Sequence, residues 1–336
     1  MKYDSKGFHA LLEKFFMRWL IAQRNVSPQT VKSYRDSFKL FIRYLHTTHK
    51  IKPASISINC LEAEYILGFL DSLEKERSNH PKTINNRLSA INSFLKFLSF
   101  EIPEYSGLLA RSLMIPFRKE EKQQMDFLTK EEYLALEDAC DLNSELGRRD
   151  QLMLLLLYNM GVRVSELVGI KIGDIVTDAN SFPSYIHIHG KGRKERDVPL
   201  WKSTASFLHK FMRGFEAANS DKLFTNRIDG PLTRSGVRYR LNCLTKKASE
   251  SVPTMKRKTI SPHTFRHTVA LNLLQSGVDI STIAIWLGHE SILTTHKYME
   301  ADMEMKRCTL EKLHDPGGNS FQFQLDNAVL AFLDSL

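Results

Sequence analysis

Apolar residues between positions 8 and 98 recur at intervals of three and four, and this period restricts that part of the chain to amphipathic helices. Ser27 and Pro28 form a helix start signal, a capping residue followed by proline at the first helical position. The apolar stripe behind this signal consists of Val31, Tyr34, Phe38, Phe41, Ile42 and Leu45. A second stripe begins near Pro81, and segments 8–23 and 61–76 also fit helices. The sequence therefore predicts a four-helix unit.

The period is interrupted over residues 101–126, where turn formers and charges replace apolar positions. A chain of 336 residues is long enough for two domains, each with a core of its own. We therefore expect a helical domain at 1–108, a linker at 109–126, a second domain at 127–310 and a tail at 311–336. The end of the tail, Leu325–Leu336, has the pattern of an amphipathic helix.

The second domain has a mixed pattern. Thr129 and Glu132 are spaced as a capping box, and the apolar run Leu152–Asn159 predicts a buried helix that ends at Gly161. Alternation over 185–189 and a return over 195–200 predict a β-hairpin with a lysine at its tip. Further helices are expected from Pro262 to Gly277 and over about 280–287. The fold class predicted is mainly α with a small β-sheet.

The net charge of +9 is unevenly distributed along the chain. Residues 1–60 carry 11 basic and 3 acidic side chains, and residues 186–266 carry 18 and 6. Two basic blocks are typical of a protein that binds one polyanion with two surfaces, although a solvated basic face without a partner fits the charge equally well. The candidate DNA-contacting side chains are Lys32, Arg35, Lys39 and Arg43 in the first block, and Arg193 and Lys194 in the second.

Several protein classes are excluded by composition. The longest apolar run, Leu152–Tyr158, is too short to cross a bilayer, and the charged N-terminus is not a signal peptide. The four cysteines lie far apart without a C-x-x-C pair, which indicates neither a disulfide framework nor a zinc ribbon. We expect a cytoplasmic, nucleoid-associated protein.

Taken singly, the candidate catalytic residues also have structural interpretations. Arg163 follows an apolar helix, and an ion pair with Glu166 would explain it. Lys191 lies between two glycines at the predicted hairpin tip, where polar residues are common. His263 and Arg266 share a face at a helix N-terminus, a position that favours an anion.

Two histidine pairs raise the possibility of a metal site. His263 and His267 are four residues apart on a predicted helix, and His187 and His189 share a strand face. No Asp, Glu or Cys lies at matching spacing with either pair. The sequence therefore predicts no metal site.

Arg163, Lys191, His263, Arg266, His289 and Tyr298 occur in an order that resembles the tyrosine recombinase family, also called phage-type integrases. The resemblance is greatest to compact Xer-like bacterial members and covers about residues 10–300. It is carried by the stretches YNMGVRVSELVGIKIGDI, HIHGKGRKERDVPL, SPHTFRHTVALNLLQSGVDISTIAIWLGHESILTTHKYM, SPQTVKSYRDSFKLFIRYL and TINNRLSAINSFLKFL.

The resemblance implies a site-specific recombinase that needs no metal or cofactor. A helical, SAM-like core-binding domain and an α+β catalytic domain would form a clamp around DNA. Tyr298 would be the nucleophile that forms a 3′-phosphotyrosine, with Arg163 and Arg266 on the phosphate oxygens and Glu166 orienting the site. The remaining implied roles are proton transfer and phosphate contact for His263, general acid for Lys191, and a phosphate hydrogen bond from His289.

The resemblance also implies the partners. These are double-stranded DNA, three further copies of the chain in a homo-tetramer on two DNA sites (a monomer or dimer off DNA), and possible accessory recombination proteins. The tail would pack into a neighbouring protomer. The alternatives are a catalytically silent DNA-binding protein on the same fold, a metal-dependent nuclease and a type IB topoisomerase.

Overall fold

The computed structural model describes residues 5–120, 125–190, 194–213 and 218–289, together with residues 291, 294, 295 and 298. The chain divides into two compact units, and the boundary lies between residues 123 and 124. Each unit has its own hydrophobic core. Lys191, Arg193 and the tail that includes Leu325–Leu336 lie outside the described residues.

The first unit is helical, as predicted. Its α-helices are α1 (Ser5–Lys14), α2 (Pro28–His49), α3 (Ala63–Lys75), α4 (Pro81–Glu101) and α5 (Ser106–Leu113). The core is rich in aromatic rings, and Phe15 lies with its centroid 5.1 Å from that of Phe94 and 5.5 Å from that of Phe97. The Ser27 hydroxyl accepts a hydrogen bond from the amide of Thr30, which confirms the predicted start of α2.

The segment 8–23 is helical as predicted, although its hydrogen bonding changes from α- to π-helical at Phe15–Gln23. One local prediction in this unit is wrong. The interruption predicted over 101–126 contains helix α5, in which Leu109 is fully buried and the Ser112 hydroxyl donates to the carbonyl of Leu61 at 2.8 Å. A helix of two turns has too few apolar positions to show a period, so its burial depends on the rest of the unit.

Helix α2 presents a basic face. Lys32, Arg35, Lys39 and Arg43 are all exposed, whereas Phe38, Phe41 and Leu45 on the opposite side are buried. Arg35 forms an exposed ion pair with Asp36. The sequence-predicted division of α2 into an apolar and a basic side is therefore confirmed.

The second unit surrounds helix α7 with other helices and a small sheet. Its helices are α6 (Lys130–Asp138), α7 (Glu145–Met160), α8 (Val164–Leu167), α9 (Lys202–Met212), α10 (Arg234–Ala248), α11 (Pro262–Gln275) and α12 (Ile280–Leu287). Leu152, Leu154, Leu156 and Leu157 of α7 are fully buried. The capping box of Thr129 and Glu132 at the start of α6 is present as predicted.

The sheet is antiparallel, in the order β1 (Ile175–Thr177), β2 (Pro183–His189) and β3 (Glu195–Pro199). Strands β2 and β3 form the predicted hairpin, whereas β1 is too short for alternation to predict. Ile186, Ile188 and Val198 point into the core. Alternate residues of the same strands therefore face outward.

Helix α7 is also tied to the end of this hairpin. The Asn159 side chain donates to the carbonyl of Pro199 at 3.1 Å and accepts from the amide of Trp201 at 2.8 Å. The side-chain amide of Asn159 thus provides hydrogen-bond partners for the backbone between the end of β3 and the start of α9. None of the helices in the described part of the chain combines the length and hydrophobicity needed to cross a lipid bilayer.

One buried carboxylate links three parts of this unit. Asp150 in α7 is fully buried and accepts from Arg149 and from Arg240 of α10, each at 2.7 Å. Arg149 also donates to the carbonyl of Thr225 at 2.9 Å. Removing the charge of Asp150 would leave two largely desolvated guanidinium groups without their counter-ion.

We expect Asp150→Asn to lower the free energy of unfolding of the second unit by about 3–5 kcal/mol, the usual cost of removing one partner of a buried ion pair. Urea denaturation followed by tryptophan fluorescence measures this, in a Trp19→Phe background where Trp201 and Trp286 both report on the second unit. The control is Asp138→Asn, the same change at an exposed position of α6. Equal urea midpoints for the two variants would contradict the prediction.

Candidate active site

The C-terminus of helix α12 binds three arginines. Arg196 donates from Nε to the carbonyl of Trp286 at 2.8 Å, and Arg266 donates from Nη2 to the carbonyl of Leu287 at 2.6 Å. Arg163 donates from Nη2 to the carbonyl of Gly288 at 3.0 Å. The last carbonyls of a helix lack intrahelical partners and carry partial negative charge, which makes them suitable acceptors for guanidinium groups.

Glu166 joins two of these arginines. Its Oε1 accepts from Nη1 of Arg163 and its Oε2 from Nη2 of Arg196, both at 2.8 Å, and the carboxylate also accepts from the backbone amide of Arg163 at 3.0 Å. Burial acts to raise the pKa of this carboxyl, but the bonds from Arg196 and Arg163 outweigh it and the pKa is lowered. Glu166 is therefore ionised at neutral pH and compensates one of the three positive charges.

Two glycines with positive φ allow the close approach of these groups. Gly161 (φ +60°) ends α7 and places Arg163 two residues later, and its carbonyl accepts from Nη1 of Arg266 at 2.8 Å. Gly288 (φ +66°) ends α12, where a Cβ would lie 2.7 Å from Nη1 of Arg196. An L-residue at either position would be strained, and at Gly288 it would also displace Arg196.

Arg266 is the most enclosed of the three arginines. Only 4% of it is exposed, and burial together with the charge of Arg163 lowers its pKa to about 10. It stays protonated at neutral pH. Three guanidinium groups with one carboxylate leave a local excess of positive charge in a partly desolvated site, which is an arrangement suited to an anion with several oxygens.

His289 lies directly after this helix end. Its Nδ1 is 2.7 Å from the Thr295 hydroxyl, and its ring is nearly parallel to that of Tyr298, with centroids 6.2 Å apart. Burial, together with the charges of Arg266, Arg163 and Arg196, lowers the pKa of His289 to about 4. The imidazole is therefore neutral above about pH 5, and it retains an N–H to donate.

Tyr298 is buried, with 5% of its surface exposed, and its hydroxyl lies 3.0 Å from Nδ1 of His267. Burial raises the pKa of the phenol, whereas the charges of Arg266 and Arg163 act to lower it. The hydroxyl is thus protonated in this state and lies within hydrogen-bonding distance of a histidine ring nitrogen.

The predicted site residues are brought together in part. Arg163, Glu166, Arg266, His289 and Tyr298 belong to one cluster. His263 is an exposed residue in the first turn of α11. Lys194 is also exposed, and its backbone carbonyl accepts a hydrogen bond from the amide of Gly190 at 2.7 Å. Lys191 and Arg193 lie outside the described residues.

Three residues of the cluster are missing from the sequence prediction. Arg196 lies in a predicted strand and belongs to no catalytic pattern, and Thr295 is part of no motif. His267 is considered only as one of a pair of possible metal-binding histidines. Arg196 forms the third guanidinium contact, and His267 contacts the tyrosine. The available signal for Arg196 is its position two residues before Val198, on the side of the strand that faces the core, where an arginine is unusual.

No metal site is predicted at His187 and His189 because no carboxylate lies at matching spacing in the sequence, but the folded chain does bring carboxylates to both rings. Strand pairing places Asp197 opposite His187 and Glu195 opposite His189, and Asp174 also contacts His189. Spacing along the sequence cannot reveal these carboxylates, because strand pairing, and not proximity along the chain, brings them next to the histidines.

The chain matches two family models. Residues 126–305 match the model described as the phage integrase family, and residues 14–101 match the N-terminal SAM-like domain of phage integrases. These matches divide the chain in the same way as its two compact units.

Similar proteins carry integrase and recombinase names. The chain is 38% identical over 326 residues to integrase/recombinase y4rC of Sinorhizobium fredii, and this alignment covers 97% of each chain. It is 32% identical over 310 residues to tyrosine recombinase XerC of Bacillus subtilis, covering 90% of this chain and 95% of that protein. The fold is similar to that of XerH site-specific recombinase bound to its palindromic difH substrate, with a TM-score of 0.68, 20% identity, and coverage of 91% and 84%.

The low pKa of His289 predicts a pH dependence of stability. The unfolded chain takes up this proton near pH 6.5, but the folded chain does so only near pH 4, so stability falls as pH falls through this window. At pH 5 the loss is about 2 kcal/mol. We expect His289→Gln to lose less stability than the parent between pH 7.5 and pH 5, as measured by urea denaturation. An identical pH dependence in the two proteins would contradict the low pKa.

Proposed function

Because the chain belongs to the phage integrase family and is a site-specific tyrosine recombinase, we propose that it cuts and rejoins DNA strands with Tyr298 as nucleophile. The observation that supports this most strongly is the position of Tyr298. Its hydroxyl is within 3.0 Å of a histidine nitrogen, and its ring lies against His289, next to the arginine-binding end of α12. We further propose that residues 1–108 form the core-binding domain and 127–310 the catalytic domain.

In the proposed reaction the Tyr298 oxygen attacks a phosphodiester phosphorus. A bond forms between the tyrosine and the phosphate, and the bond between phosphorus and the 5′ oxygen breaks, which leaves a 3′-phosphotyrosine and a 5′-hydroxyl. Attack by the 5′-hydroxyl of another strand reverses these steps. The number of phosphate ester bonds is conserved, so the cycle needs no ATP.

The arginines stabilise the charge that builds up on the phosphate. Arg163 and Arg266 are held by main-chain carbonyls and Glu166, so their geometry is fixed before DNA binds. We assign them to the non-bridging oxygens, with Glu166 as the carboxylate that orients Arg163 and His289 as a neutral hydrogen-bond donor. Donors that are held in place in advance avoid the reorganisation that water would require.

We assign the proton transfers to three residues. His267 accepts the proton of Tyr298, because its Nδ1 is the basic nitrogen at 3.0 Å from the hydroxyl. His263, exposed in the first turn of α11, contacts the phosphate, and Lys191 donates a proton to the leaving 5′ oxygen. The role first expected of His263 is thereby divided between two histidines on one helix.

The chain binds double-stranded DNA, and we propose that it does so as a homo-tetramer on two sites, with or without accessory recombination proteins. The XerH structure of similar fold is itself a complex with its palindromic difH substrate. The exposed basic face of α2 and Lys194 supply candidate phosphate contacts. We further propose that the protein works in the cytoplasm, associated with the nucleoid.

A covalent trapping experiment tests the nucleophile. Duplexes that the protein binds are first selected from a random library, and a nicked suicide version then traps any protein–DNA adduct. We expect an adduct with the parent and none with Tyr298→Phe, which retains the ring but lacks the attacking oxygen. A silent DNA-binding protein forms no adduct, and a metal-dependent nuclease releases free ends instead. An adduct that survives the substitution would overturn the assignment.

The guanidinium geometry is tested by Arg163→Lys and Arg266→Lys. Both variants keep the positive charge, but lysine cannot bridge a carbonyl and a phosphate oxygen with a planar fork. We expect each to slow single-turnover cleavage by about 100-fold or more. Arg148→Lys, the same change at an exposed position, is the control. Parental rates in both variants would show that the two arginines serve only the fold.

The proton acceptor is tested by His267→Asn. Asparagine can preserve a hydrogen bond to Tyr298 but cannot accept its proton, so we expect single-turnover cleavage to slow by about 100-fold with DNA binding unchanged. His263→Asn is the matched comparison on the same helix, and we expect it to weaken phosphate contact without changing how the rate depends on pH. A parental cleavage rate for His267→Asn would show that His267 only positions the tyrosine.

A further inference from the structure

We infer that the outward face of the β2–β3 hairpin is a binding site for one divalent transition-metal ion, with His187, His189 and Glu195 as ligands. One donor atom from each of these residues lies within 4.8 Å of the other two. The site is separate from the arginine cluster, and its existence does not depend on the proposed function.

The strand pattern creates the site. Ile186 and Ile188 are buried in the core, so His187 and His189 both project from the opposite face of β2. Glu195 is the register partner of His189 across the ladder. Three donors are therefore fixed on one face by backbone pairing, with no loop required to fold over them.

Each histidine lies at nearly the separation from the Glu195 carboxylate that two ligands of one ion have. Nε2 of His187 lies 3.3 Å from Oε2 of Glu195, and Nδ1 of His189 lies 3.0 Å from Oε1. A tetrahedral zinc ion with bonds of about 2.0–2.1 Å separates its ligands by roughly 3.4 Å. Small side-chain rotations at this exposed surface suffice to place an ion between the carboxylate and the two rings.

The nitrogens that would not bind the ion also have carboxylate partners. Nδ1 of His187 is 2.6 Å from Asp197, and Nε2 of His189 is 3.2 Å from Asp174. Asp174 is itself held by the backbone amide of Lys171 at 2.8 Å. Metal-ligating histidines in proteins usually donate their second N–H to a carboxylate in this way, which fixes the tautomer and increases ligand basicity.

In a metal-bound form each imidazole is neutral and has one N–H, which can donate to Asp197 from His187 and to Asp174 from His189. The lone pairs of the other two nitrogens then face the Glu195 carboxylate, so that all three groups are directed at one cation. Three carboxylates and two neutral rings also carry three negative charges, which favours a divalent ion.

The ligand types select the metal. Two imidazoles and one carboxylate suit Zn²⁺, Co²⁺ or Ni²⁺, whereas Mg²⁺ and Ca²⁺ prefer sites composed of oxygen ligands. The ion would join β2 to β3 at the register pair of His189 and Glu195, the last one before residue 190. Its role is therefore to stabilise this end of the hairpin, and the fourth coordination position remains for water.

Metal titration of the full chain tests the inference. After treatment with EDTA and dialysis, we expect calorimetry to show that the parent binds one more Zn²⁺ than His189→Asn or Glu195→Gln, and Co²⁺ to give a visible absorption band that both variants lack. His209→Asn and Glu250→Gln, which alter the same residue types elsewhere in the second unit, should retain the parental stoichiometry. Mg²⁺ should produce no effect.

A fourth variant keeps all three ligands. Asp197→Asn removes only the acceptor for Nδ1 of His187, and we expect it to weaken Zn²⁺ binding by about 10- to 100-fold without changing stoichiometry. The inference is overturned if the parent binds no Zn²⁺, or if the variants and the parent bind it with equal affinity.

Discussion

The second unit depends on the hydrogen bonds between three guanidinium groups and the last three carbonyls at the end of α12. Like charges at this density repel one another, and water would normally separate them. Here the negative end of a helix and the carboxylate of Glu166 replace that water. The positive φ of Gly288 ends the helix at the residue where these carbonyls become available. The end of one helix thus holds three positive charges together and leaves them able to bind an anion.

This charge determines the protonation states around it. Burial and this charge together keep His289 neutral, the charge acts against the effect of burial on the Tyr298 phenol, and Glu166 remains ionised. A phosphate would add negative charge where the site has an excess of positive charge, so the same groups that repel a proton would attract the substrate. His267 approaches the tyrosine from α11, a helix that also contains Arg266. The proposed nucleophile and the proposed proton acceptor therefore lie beside the arginines that the end of α12 holds.

Much of this arrangement could be predicted from sequence because its signals are local. Ser27, Gly161 and Gly288 mark helix ends, the alternation over 185–189 marks a strand, and the order of Arg163, Arg266 and Tyr298 indicates the chemistry. The errors have a common cause. Helix α5 is stabilised by distant packing, Arg196 gains its importance from the end of α12, and the carboxylates around His187 arrive by strand register. Each depends on which segments meet in space, and periodicity carries no information about that.

The separation of the bonded partners along the chain has a consequence for biosynthesis. Arg163 and Gly288 are 125 positions apart, Arg266 and Gly161 are 105 apart, and Arg196 and Trp286 are 90 apart. Contacts of such length form late, since the entropy of closing the intervening loops must first be offset by other packing. All three arginines are translated before the carbonyls of α12 that hold them. The arginine cluster therefore cannot assemble on a nascent chain until α12 has left the ribosome.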